Sequence, residues 1–107
     1  MKISHLKKEG NIIKIFDSSG RYSGKWFSIP RNSEVSGNNS SLIIITFPSL
    51  GVSRIYNSYG KDTGDYISIR GDKKIIGVSE ERILVKDRRV IRYYDLRGKD
   101  TGKYYIP

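Results

Sequence analysis

Three stretches of the chain repeat one another without a gap: Ile12–Trp26, Val52–Tyr66 and Val90–Tyr104. The shared pattern runs aliphatic, any residue, basic, large, aromatic, Asp or Asn, two free positions, Gly. It continues basic, any residue, Ser or Thr, Gly, any residue, aromatic. The first glycines stand at 20, 60 and 98, so the unit returns after 40 residues and then after 38. A repeat of this length is one supersecondary unit whose apolar face is buried by its neighbours. That rules out most folds at once.

Each copy reads as a strand, a turn and a second strand. The first strand is rich in Ile, Val and Tyr and ends at Asp17, Asn57 or Asp95, short side chains that cap turns. Gly20, Gly60 and Gly98 fall where the turn needs positive φ. The second glycine, at 24, 64 and 102, is expected to precede an aromatic strand: Trp26–Ile29, Tyr66–Ile69 and Tyr104–Ile106. Further strands are expected at Ile3–Lys7, Leu42–Phe47, Ile75–Ser79 and Arg82–Lys86. The polar stretch Asn32–Ser41 reads as a mobile loop. No segment has helical periodicity with caps.

The chain is therefore expected to be all-β, one domain over 1–107 with about three four-stranded antiparallel repeats, roughly 1–30, 31–70 and 71–107. The first lacks an opening strand. The segment Ile75–Asp95 resembles a β-propeller blade: a small-residue strand, an acidic turn, an aliphatic strand, then a strand ending aromatic-Asp. Tyr94-Asp95, Phe16-Asp17 and Tyr56-Asn57 stand where WD-type blades carry Trp-Asp, and the Gly-His element of those blades is absent. The resemblance implies a ring of blades, and such rings need at least about four. Under three blades in one chain imply a homo-oligomer. The alternative is a β-trefoil-like barrel, closed by one chain.

Charge supplies the functional lead. Twenty Lys and Arg against eleven Asp and Glu give +9. Residues 1–31 and 82–107 each carry net +5, while 32–81 carry −1. A balance of this kind favours a polyanionic partner. Alternation along the repeat strand puts Lys14 beside Phe16, Arg54 beside Tyr56 and Arg92 beside Tyr94. Cations for phosphates and rings for bases are what single-stranded nucleic acid requires. Packed sheets give the same pattern when the ring is core and the basic stem passes over it. The candidate ligand-binding set is Arg54, Arg92, Lys61, Lys99, Arg88 and Arg89, with Tyr22 and Tyr59 as stacking rings. Repeated rim loops bearing Asp or Asn, a cation and a ring would also suit a glycan or a protein.

Other chemistries find little footing. There is no Cys and a single His, His5, most simply a strand residue. Asp17, Asp62, Asp95 and Asp100 lack the dense acids of a calcium loop, and the repeat glycines lead into strands, not phosphate-cradling helices. No catalytic residue, metal or cofactor is expected. No apolar run approaches the 18 residues of a transmembrane segment and the N-terminus has no apolar signal region, so a cytoplasmic protein is expected.

Overall fold

The computed structural model describes the whole chain, Met1–Pro107. Its strands are β1 (Ile3–Glu9), β2 (Ile12–Asp17), β3 (Tyr22–Ser28), β4 (Glu34–Asn38), β5 (Leu42–Phe47) and β6 (Val52–Asn57), then β7 (Asp62–Ser68), β8 (Lys73–Val78), β9 (Ile83–Asp87), β10 (Val90–Tyr94) and β11 (Asp100–Tyr105). The only helical turn is the 3-10 segment Pro48–Leu50. Within each sheet every strand pairs antiparallel with its neighbour in sequence, and no pairing crosses from β3 to β4 or from β7 to β8. Three meanders result: sheet I (β1–β3), sheet II (β4–β7) and sheet III (β8–β11). The all-β class and the repeated unit stand as the sequence indicates, with three strands in the first sheet and four in the others.

The sheets stack face to face, with sheet II in the middle. Ile3, Ile13, Ile15 and Phe27 of sheet I meet Ile43, Ile45 and Phe47 of sheet II in one core. Leu42, Ile44, Ile55 and Ile67 of sheet II meet Ile75, Ile83, Val85 and Tyr94 of sheet III in the other. This explains β5, whose six residues are all buried. Its side chains alternate between the two cores, so the strand reads as an unbroken apolar run. The three sheets do not close on themselves, as a one-chain barrel would require.

Two expectations need correction. The stretch Asn32–Ser41 is not a loop throughout: Glu34–Asn38 forms β4, paired with β5 through a bulge between Val35 and Gly37. The bulge breaks the alternation that marks a strand. β4 also meets β8 edge-on, and a Cβ on Gly37 would sit 2.8 Å from a Val78 methyl carbon. The second repeat glycine lies inside a strand, not before one. Gly24, Gly64 and Gly102 have φ of +82°, +87° and +82°, within β3, β7 and β11. At these points the register slips by two residues against β2, β6 and β10. The aromatic strands therefore start at the Gly-basic turn, four residues earlier than alternation suggests.

Candidate anion-binding groove

The repeated motif is first of all turn chemistry. Asp17 Oδ1 accepts the backbone N–H groups of Ser19 and Arg21 at 2.9 and 3.2 Å. Asn57 does the same for Tyr59 and Lys61, and Asp95 for Arg97 and Lys99. The Ser19 hydroxyl, then the backbone bonds, hold the Asp17 carboxyl below the usual carboxylate range. Ser23, Thr63 and Thr101 donate to the carbonyls of Ile15, Ile55 and Tyr93 at 2.6–2.7 Å, which pins the bulge. Their oxygens also accept the N–H two residues on. Four motif positions are thus committed to the backbone. The turn cations Arg21, Lys61 and Lys99 stand outside every ion pair.

A meander alternates its turns between two rims, and this separates the candidate residues. Tyr22, Tyr59, Lys61 and Lys99 lie at the rim of the Asp/Asn-Gly turns, all exposed. Lys14 approaches the Tyr22 ring at 5.7 Å, and Lys25 the Tyr59 ring at 5.9 Å. Arg88 and Arg89 form the β9–β10 turn at the opposite rim. Arg54 and Arg92 sit within β6 and β10, half-buried. Arg54 pairs with Asp62 at 3.4 Å, and Arg92 with Asp87 at 3.1 Å and Asp100 at 3.7 Å. The aromatics beside them, Tyr56 and Tyr94, pack between sheets, and burial raises the Tyr56 phenol pKa. The eight candidates do not form one site.

Arg88, Arg89 and Arg92 do come together. They line an open groove of about 560 Å³ with Arg70, Gly71, Asp72, Asp87 and Val90. Arg70 also lines an adjoining groove of about 460 Å³ with Val52, Arg54, Tyr66 and Ser68. The two share one wall, so five arginines and the 55% exposed Tyr66 form a band across sheets II and III. Two carboxylates line it, and Asp62 and Asp100 reach Arg54 and Arg92 from beside it. Asp72 faces Arg88 at 3.7 Å and Asp87 holds Arg92, while Arg70 and Arg89 stand outside every ion pair of the chain.

Arg70 and Tyr66 were not among the residues selected from sequence. The signal for Arg70 is a departure from the repeat: it stands where the first copy has Pro30. Its stem lies on the β5–β6 turn, with Cγ 3.1 Å from where a Cβ on Gly51 would be. Arg88 departs in the same way, at the place of Gly10. Its φ is +59°, against +61° at Gly10, and it is the only non-glycine with positive φ. A left-handed L-residue costs roughly 1–2 kcal/mol relative to the right-handed form, and such residues cluster at functional sites.

No three His, Asp or Glu side chains converge as a metal site. No helix is long and apolar enough to cross a membrane. Comparison with protein-family models, curated proteins and solved structures found no match for this chain.

Proposed function

We propose that this chain is a non-catalytic, cytoplasmic binding module of propeller-type blades, and that its arginine band binds single-stranded nucleic acid. The observation that carries this reading is Arg88, a cation held in the left-handed conformation that the first copy gives to glycine. Stability alone favours glycine there. The arginine supplies charge to a groove where Arg70 and Arg89 already lack acidic partners. Phosphates would meet Arg70, Arg88 and Arg89, and a base would stack on Tyr66, the exposed ring of the band.

Titration of labelled single-stranded DNA and RNA at two salt concentrations tests the proposal. Affinity is expected to fall steeply with salt, because phosphate contacts release counterions. Substituting Arg89→Ala should lower the slope of log affinity against log salt by about 0.7, the share of one phosphate on a single strand. Arg88→Gly separates function from fold: it should weaken binding while leaving the domain at least as stable to urea. No binding at low salt rejects the proposal. Binding indifferent to charge reversal at Arg88 and Arg89 removes it from this groove. Salt-insensitive binding of a neutral glycan would instead favour a carbohydrate ligand on the other rim.

A further inference from the structure

We propose that a second copy of this chain covers both end sheets, so that two copies close one ring of six sheets. The proposal is independent of the anion-binding reading and rests on the repeat. Sheet II is packed on both faces, and the residues it uses recur at matching positions of the two end sheets. Toward sheet I it presents Tyr56 and Gly60. The Tyr56 ring stacks on Phe27 at 4.8 Å. A Cβ on Gly60 would lie 2.9 Å from the Phe27 ring and 3.5 Å from Ile15. Sheet III repeats the arrangement against sheet II: Tyr94 enters the core, and a Cβ on Gly98 would lie 2.8 Å from the Tyr66 carbonyl oxygen and 3.1 Å from Ile67.

The matching residues of sheet I are Phe16 and Gly20, and neither sheet II nor sheet III packs on them. Nothing lies within 4 Å of a Cβ built on Gly20. Phe16 stacks on His5 at 4.4 Å and leans on Tyr22 at 5.8 Å, on the outer face. The positions that receive such a knob are Ile15 and Phe27 in sheet I, and Ile55 and Ile67 in sheet II. In sheet III they are Tyr93 and Tyr105, whose rings sit 5.6 Å apart on its uncovered face. Tyr105 is 40% exposed, and Ile76 on the same side is 44% exposed. One end of the stack has the knob without its socket; the other has the socket without its knob. For a ring built from the three sheets of this chain, their count sets the number of copies. Closed rings hold about four to eight such sheets. Three copies would bring nine. Two copies bring six.

The equivalent contacts also supply a test. Across sheets I and II, Lys25 meets Tyr59, and across sheets II and III, Asp65 and Arg97 line one cleft. The same positions at the closing junction are Ser19 of one copy and Lys103 of the other, both exposed. The chain has no cysteine, so the variant Ser19→Cys/Lys103→Cys can be treated with a short bis-maleimide. A covalent dimer is expected, with peptides joining positions 19 and 103 of different copies. Lys25→Cys/Tyr59→Cys, joined within one chain, calibrates the reach of the reagent. Sedimentation of the unmodified protein at micromolar concentration should give twice 12.2 kDa, and Tyr105→Glu should return it to 12.2 kDa with an unchanged circular dichroism spectrum. A monomer overturns the proposal. So does a dimer that survives Tyr105→Glu or joins through other positions.

Discussion

Gly98 and Gly102 have almost the same φ, +83° and +82°, yet different surroundings. A Cβ at Gly102 meets nothing within 4 Å, whereas one at Gly98 runs into the Tyr66 backbone. Alanine at either site pays the left-handed strain of roughly 1–2 kcal/mol. At Gly98 the sheets must also separate, so Gly98→Ala should destabilise by about 1–2 kcal/mol more, on the scale of overpacking. Urea denaturation of the two variants measures the difference, and equal losses would mean that the sheets do not approach there. The motif was legible in sequence as turn chemistry, because Asp, Gly and Thr act on the backbone beside them. Contact between sheets leaves no local mark. Nor did the repeat point to Arg70, which differs from it as Arg88 does.

At the scale of elements, β5 could be read from sequence and β4 could not. A strand covered on both faces announces itself as Leu42–Phe47, whereas a bulged edge strand with Ser36, Gly37 and Asn38 looks like a loop. The β4–β5 loop is nevertheless well tied. Asn39, 6% exposed, accepts the N–H groups of Ser41 and Leu42 and donates to the Ser79 carbonyl at 2.8 Å. Asn39→Ala would strand those groups and should cost about 2 kcal/mol in urea denaturation. Beside it, Glu80 accepts the Ser40 hydroxyl at 2.7 Å and its N–H at 2.8 Å, bonds that hold its carboxyl below the usual range. A folded-state pKa below the unfolded one means that the folded protein binds fewer protons on acidification. The stability Glu80 contributes is therefore present above the ordinary carboxylate pKa and lost as pH falls through the lowered one. Ser40→Ala should flatten the decline in stability between neutral pH and about pH 3, the range in which carboxylates titrate. An unchanged slope would remove Glu80 from the link between sheets II and III.

At the scale of the molecule, charge opposes the closure that the end sheets invite. The first 31 residues and the last 26 each carry net +5, and those segments contain the two faces that meet in the proposed ring. Lys7 and Lys14 on the sheet I face are offset only by Glu9, at 3.3 and 2.9 Å. On the far side, Arg82 lies over the Tyr93 ring at 4.7 Å. Association there must be driven by burial of rings and aliphatic side chains against a repulsion that salt screens. Raising ionic strength should therefore tighten the proposed dimer, whereas the proposed nucleic-acid binding by the arginine band should weaken. Sedimentation at low and high salt, over a range of protein concentrations, reads the first effect. Thermal unfolding gives an independent reading, since the midpoint of a dimer rises with protein concentration. A dimer that loosens with salt would be held by ion pairs and not by the aromatic socket of sheet III. Opposite salt responses of assembly and binding would separate the two surfaces, one built from repeated positions and the other from the arginines that break the repeat.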